Sequence, residues 1–559
     1  MLRGIPLAGL LAAAEAAPGA AVGQVLRVPG AGIVLAAGSY RVDRDMTVTG
    51  DVLLMPGVRI DVARGSTLTF TGDFQASAAP VFAGAGRVDL NVSRVLTARP
   101  EWWGAVAGDP RIDCLPALEA AIAAHGCVAL IAADYHISAT LRIALPGRRI
   151  EGRTGSAGGR TTVSRLVLTR ADGDVVQVGP DRDPGGPGAF VTGIVLHQLE
   201  LARSVAVAPG GSLERGGPAG LRVQYAVACR FENLTSVEHA AGYVMRGVVR
   251  SFLRNCSAYR SRPSADGAGA GEGFVGFLFD GSADFGLAGG NASLYVDECV
   301  VSTGGVPRLA RSIGAYLPGA FADIFLTRFE MATMTDGIVV DGLASEGNSR
   351  RARTGNGDLH ITAPILDSVS HAGLTLSRLS PYGVVDVIDP YIAVVPGSLA
   401  AIHVHDGGGM TTITGGQLIG WGDADGGGNA VGVHAVNAAG LSVRGLKILG
   451  HRRPVGLTGC RDFDIDVAIH NPAQIASQAA VQLAACDRGT VHARVTGGAG
   501  VFPQGVRLDG QANNHVAVEV IGVNPAAIAG GQANALVWDR TPVRAAGAFG
   551  TNQATGVIA

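Results

Sequence analysis

The 559-residue sequence predicts an all-β fold, a parallel β-helix, and three observations carry that prediction. Short runs of alternating apolar and polar residues recur at a near-regular step, and a second strand-like run follows each at a similar offset. Gly, Asn and Asp separate the runs, and helical periodicity is nearly absent. The composition is 47% hydrophobic but only 5% aromatic, so a large core must be built from small and branched aliphatics, which suit a narrow coil interior.

The first set of runs begins near residue 173: VVQVG at 175–179, GLRVQ at 220–224, GYVMRG at 242–247, GFLFDG at 276–281 and GIVVDG at 337–342. It continues with GLTLS at 373–377, AIHVHD at 401–406, VGVHA at 431–435, PVGLTG at 454–459, VQLAA at 481–485, GVRLDG at 505–510 and ALVWDR at 535–540. Matching Leu376, Val404, Val433, Leu457, Leu483, Leu508 and Trp538 gives steps of 28, 29, 24, 26, 25 and 30 residues. A stack of coils with loop insertions produces such a period with variable surplus. The second set includes CRFENLTSV at 229–237, LHITAPIL at 359–366, LSVRGLKIL at 441–449 and NHVAVEVIG at 514–522. Cys460 and Cys486 follow Leu457 and Leu483 at one offset, so they are expected to stack inside as free thiols. Asp280, Asp341 and Asp509 share a place before Gly, where an aspartate bonds its own backbone to start a turn.

The one helical stretch lies in RPEWWGAVAGDPRIDCLPALEAAI, residues 99–122. Asp113 is placed to cap a helix from about Cys114 to His125, with Pro116 in its first turn. Leu115, Leu118, Ala121 and Ile122 fall on one face of that helix. Trp102, Trp103, Asp109 and Asp113 are therefore expected to build a cap sealing one end of the coils.

These residues also carry a resemblance. PEWWGAVAGD with Asp113, the helix and Tyr135 resembles the opening segment of the pectate-lyase-like β-helix superfamily found in bacteriophage tailspikes and related bacterial proteins. Residues 38–84 resemble the strand-rich lead-in of the same proteins. The departures are Pro110 after Asp109, Cys114-Leu115 for Asp/Asn-Thr, and Ala132-Ala133-Asp134 for Pro-Pro-Gly. The resemblance implies a right-handed β-helix. It divides the chain into an N-terminal segment 1–37 for particle attachment, a lead-in 38–98, a capping motif with the first coil at 99–145, and the coils with insertions at 146–559. It further implies a parallel homotrimer on a virion or phage-like particle surface, joined to the particle's structural proteins through the N-terminal region. Such a protein is a receptor-binding spike of a phage, or of a phage-derived particle such as a gene transfer agent. It binds bacterial surface polysaccharide with or without depolymerase activity. The alternative is a secreted or periplasmic polysaccharide lyase or hydrolase.

Charge and targeting features narrow the partners. A net charge of −2 without like-charge runs gives no electrostatic footprint for nucleic acid. No apolar run is long enough for a membrane helix. The start, MLRGIPLAGLLAAAEAAPGAA, imitates a secretory signal, but Pro6, Glu15 and the short apolar run favour an uncleaved start.

Function is expected on the outer faces and in the insertions. His403, His405 and Asp406 cluster at a strand end, with Arg444 and Lys447 further on. A lyase needs a base to take the proton beside a uronate carboxylate and a cation to steady the resulting charge, so these are the candidate catalytic groups. Trp421 beside Asp423 and Asp425, and Arg350, Arg351 and Arg353, are the candidate carbohydrate-binding residues, because an aromatic takes the apolar face of a sugar and arginines take acidic groups. Asp423-x-Asp425 with Asn429 falls short of a calcium ligand set, so neither metal nor cofactor is expected.

Overall fold

The computed structural model describes residues 26–28 and 32–539, apart from 158–159, 183, 186, 208–215, 262–272, 282–289, 305–310, 320, 343–356, 382, 421–430, 472–478, 498–503, 510–514 and 522–533. The chain forms two compact units, one from residues 1–179, 191–205 and 229–235, the other from 180–190, 206–228 and 236–559.

In the first unit the lead-in is itself a three-coil solenoid. Gly32–Leu35, Val52–Leu54 and Phe74–Gln75 form one parallel ladder, and Gly38–Val42, Val58–Val62 and Phe82–Ala83 a second. Met46–Val48, Thr67–Phe70 and Arg87–Asp89 form the third. The pattern is period two: in Val58–Val62 the valines and Ile60 are buried while Arg59 and Asp61 are exposed. Phe70, Phe74 and Phe82 cluster within the core, Phe74 stacked on Phe82 and edge-on to Phe70, and Trp102 joins them, 4% exposed and 4.9 Å from the Phe74 ring, with its indole N–H donating to Ser77 O. Trp103 is half-buried against Phe82 at 5.0 Å.

The helix spans Leu115–Ala124, one residue shorter at each end than expected. Leu118, Ala121 and Ile122 are buried with Ala117 and Ala124, whereas Leu115 is only partly so. The N-cap is Cys114, not Asp113, and no side chain caps there; Asp113, one residue earlier, accepts at Oδ1 from the Leu115 and Ser138 amides and at Oδ2 from the Ser138 hydroxyl, so it ties the start of the helix to the following coil. Asp109 makes a local turn, accepting from the Arg111 backbone and guanidinium, and those bonds hold its carboxyl below the usual range. Buried Glu101 accepts from the Tyr135 hydroxyl at 2.5 Å, the contact that joins the PEWW turn to the next strand. Because Trp102 fills the core and satisfies its N–H, Trp102→Ala is expected to cost about 3–5 kcal/mol, checked by the melting temperature of this unit.

The second unit is a parallel β-helix of three ladders. One runs from Ala219–Val227 through Asp336–Asp341, Ala372–Ser377, Ala400–His405, Val431–Val436 and Arg453–Thr458 to Gln504–Asp509. A second includes Asn291–Asp297, Phe321–Thr327, Asp358–Thr362 and Val384–Ile388. A third, shorter ladder holds Val300–Ser302, Glu330–Ala332, Ile365–Val369 and Tyr391–Val394. At Leu441–Leu449 the second and third merge into one strand, with a register shift between Arg444 and Leu446.

Like stacks on like inside: Leu253, Val296, Leu326, Ile361, Val387, Ile413, Val443, Ile465 and Val491 sit in register and are buried. The corner between the second and third ladders is a single left-handed residue in successive coils, namely Asn255, Glu298, Arg328, Ala363 and Asp389, and a pair, Gly415 and Gly416, in the next. A side chain there strains the backbone. The strain is offset because each corner N–H bonds a carbonyl of the next coil, as Arg328 does to Thr362 O.

Two sequence alignments are corrected. Leu376 pairs with Val404, but Val404 pairs with Ala435 and not with Val433, which lies opposite Ile402. A slip of two residues preserves the buried face, so alternation alone does not detect it. Trp538 belongs to the strand Asn534–Asp539, which pairs with His515–Ile521 in the other ladder. Cys460 and Cys486 do occupy stacked, buried positions as free thiols.

Candidate functional site

The first ladder of the second unit turns alternate side chains outward. Thr375, His403, His434, Gly456, Gln482 and Arg507 are consecutive in register, one per coil. The His403 and His434 rings stack at 5.0 Å with planes 9° apart, and His405, two residues along the strand, lies 4.9 Å from His403. Gly456 has no side chain to continue the column, and Arg453 takes the space: a Cβ on Gly456 would come within 2.8 Å of Arg453 Cδ. The half-buried Arg453 guanidinium therefore borders His434, with Arg452 and Arg507 close enough to depress its pKa after the larger effect of burial.

Burial, then the neighbouring His434, His405 and His371, push the His403 pKa down to about 4. Burial, then Arg453 and His405, lower that of His434. Both imidazoles are thus neutral at pH 7, able to accept a hydrogen bond, and His434 Nδ1 is buried with no partner among the described residues. The carboxylates on this ladder are engaged. Asp336, buried, accepts from Arg311 and meets His371 Nδ1 at 2.6 Å. Asp406 lies against His405 at 3.3 Å and accepts from Asn437.

Asp280 and Asp341 hold the shared position expected of them, and each meets an arginine there. Asp341 accepts from the Arg378 guanidinium at 2.8 Å and Asp280 lies 3.8 Å from Arg246, because at a strand end the side chain reaches the arginine of an adjacent coil. Pro318 occupies the same position in the intervening coil, so these two carboxylates are two coils apart. Asp509 occupies the same register opposite Ala484.

Lys447 is not brought to the histidines. It pairs with Gln417 in the third ladder, exposed on another side of the coil, and Arg444 lies in the second ladder with Asp464. His403, His405 and Asp406 do come together, and His434 and Arg453 join them without having been singled out from the sequence. Trp421, Asp423, Asp425, Arg350, Arg351 and Arg353 lie outside the described residues. Among the described residues no group of three His, Cys, Asp or Glu side chains is arranged to hold a metal ion.

His403 gives a pH signature with a definite sign. The unfolded imidazole takes a proton near 6.5 and the folded one near 4. Between those values the unfolded chain binds more protons, so stability is expected to fall as pH drops from 6.5 to 4. Discounted for the solvent the ring still meets, the loss is about 1–2 kcal/mol. Melts of the wild type and His403→Asn over this window check it: the variant should show the shallower slope, and an equal slope would refute the assignment.

No known protein family matches the sequence, and no curated protein matches it. Among solved structures, a point mutant of the tailspike of E. coli bacteriophage HK620, in complex with a pentasaccharide, is similar with a TM-score of 0.50 and 10% identity, covering 74% of this chain and 73% of that one. Tailspike protein 3 of bacteriophage CBA120 is similar with a TM-score of 0.43 and 12% identity over 82% of this chain, which spans 61% of that protein. The A-module of the Azotobacter vinelandii mannuronan C-5 epimerase AlgE6 is similar with a TM-score of 0.34 and 14% identity, covering 82% and 99%. The likeness to the HK620 tailspike is one of fold, the right-handed parallel β-helix.

Proposed function

We propose that this protein is a receptor-binding spike of a phage or phage-derived particle, such as a gene transfer agent, and that it binds an acidic bacterial surface polysaccharide on the outer face of the first ladder. The observation that carries this reading is the column of His403 and His434 continued by Arg453 and Arg507. Flat neutral rings that exchange hydrogen bonds lie beside guanidinium groups, and every described carboxylate nearby is already engaged. Arginine forks suit carboxylate-bearing sugars, and imidazole suits their hydroxyls. The segments with Trp421, Asp423 and Asp425 and with Arg350, Arg351 and Arg353 connect to strands of this ladder in the chain and are assigned to the same glycan. The pentasaccharide held by the HK620 tailspike is in keeping with a glycan on this fold. A parallel homotrimer attached through residues 1–37 completes the assignment.

If a bond is broken, the chemistry favoured is β-elimination. His405, held by Asp406, serves as base and Arg453 steadies the charge that develops next to the uronate carboxylate. Hydrolysis is less well served. It needs two available carboxyl groups about 5–9.5 Å apart, whereas Asp336 and Asp341 are already held by Arg311 and Arg378, and Asp406 by His405 and Asn437. The test is incubation of the purified protein with capsular and lipopolysaccharide glycans. Retention without shortening identifies a binder, shortened chains with new unsaturated ends absorbing in the ultraviolet identify a lyase, and shortening without them a hydrolase. Retention of no acidic glycan would overturn the proposal.

A further inference from the structure

In the first unit, the strands Val58–Val62 and Phe82–Ala83 and the helix Leu115–Ala124 border a groove of about 560 Å³. That volume is in the range of small-ligand sites. The helix offers only Pro116, Ala120 and Ala123 to the groove, so no large side chain fills it. Opposite stands Trp103, which leans on Phe82 with part of its indole and leaves the rest uncovered. Arg59 and Arg87 stand at the rim. Arg87 meets Asp89 at 3.4 Å with 61% of its side chain exposed, an exchangeable pairing of small value. Arg59 has no ion-pair or hydrogen-bond partner among the described residues. No carboxylate lines the space; Asp61 reaches toward Gly84, and Asp89 is held by Arg87.

We propose that this groove is a second binding site and that it takes an acidic saccharide, with the open part of Trp103 against the C–H face of a pyranose and the Arg59 guanidinium on its carboxylate. Each half of the site excludes a simpler occupant. An inorganic anion would satisfy Arg59 and leave the indole wet, and a neutral sugar would cover the indole and leave the arginine without a counter-charge. A uronic acid presents both features on one ring, and Arg87 adds a second fork once it releases Asp89. The site shares no residue with the imidazole column and takes the same class of ligand.

The test is a titration of the full-length protein with an oligoglucuronate tetramer, with maltotetraose as the neutral control, read by tryptophan emission and by calorimetry. The acidic tetramer is expected to give a saturable emission change and maltotetraose none. Arg59→Glu should weaken the response at least tenfold at an unchanged melting temperature, and Arg59→Lys should recover part of it. In a Trp421→Phe background, which removes the indole assigned to the coil-face site, Trp103→Phe should keep the calorimetric binding and lose the emission change. His403→Asn should leave the emission response intact, which separates this site from the one on the coil face. Affinity unchanged in Arg59→Glu, equal binding of maltotetraose, or no saturable response would overturn the proposal. A changed oligomeric state in Arg59→Glu would make the groove a contact between copies and overturn it as well.

Discussion

Arg453→Glu is expected to cut retention of an acidic surface polysaccharide by about 10- to 100-fold while the protein still melts as the wild type does. The magnitude follows from one charge-assisted hydrogen bond, about 1.5–3 kcal/mol, at about 1.4 kcal/mol per factor of ten. Half-burial beside His434 raises the value of the contact, because the surroundings are less polarisable than water. The substitution also places a carboxylate where the ligand's own must sit, so repulsion adds to the loss. Arg488→Glu is the matched control, since Arg488 is exposed and paired with Asp462 and Asp487. Raising salt should weaken wild-type retention and change that of Arg453→Glu little. Equal retention by Arg453→Glu and wild type would remove the imidazole column from the binding face.

The fold was legible because a solenoid writes its period directly into the chain. Alternation assigned inward and outward faces, so the stack from Leu253 to Val491 needed no long-range information beyond the repeat. The lead-in was read only as strand-rich, because its strands are two to five residues long, too short for alternation to reveal three coils. The corners were less legible still. Glu298, Arg328 and Ala363 adopt left-handed backbone with none of the Gly or Asn that marks such a position in a sequence, because the hydrogen bond to the next coil compensates locally.

The site was half legible for a related reason. His403 and His405 are adjacent on one strand and declared themselves by alternation. His434 and Arg453 meet them only through the register, and the two-residue slip set His434 against His405 instead of His403. What would have corrected it is turn length, which alternation does not report. Lys447 was expected to supply the cation, but which side of a coil a residue faces depends on where the corners fall, and the corner near Gly445 is flattened into a continuous strand.

Gly337→Val is expected to cost about 3 kcal/mol or more. Gly242, Gly276, Gly314, Gly337 and Gly373 open successive strands of the first ladder with their α-carbons against the carbonyls of the next coil. A Cβ on Gly276 would lie 2.7 Å from Gly314 O, one on Gly314 2.8 Å from Gly337 O, and one on Gly337 would fall on Gly373 O with Leu366 Cδ1 at 3.1 Å on its other side. Gly373 O belongs to the backbone and cannot swing aside, so the coil spacing must open, and overpacking of this kind costs about 1–3 kcal/mol even before the register is disturbed. The flanking pairs Asp336 with Ala372 and Ile338 with Leu374 would be strained together. Since each coil is stabilised mainly by its neighbours, a defect here divides the stack, so two melting transitions should replace one. Gly126→Ala is the control, because the nearest atoms to a Cβ there are 3.8 Å away. Calorimetric scans at one fixed rate compare the variants even where unfolding is irreversible. A Gly337→Val protein that melts with Gly126→Ala and the wild type in a single transition would show that the glycine ladder is an accident of composition and not a condition of the coil spacing.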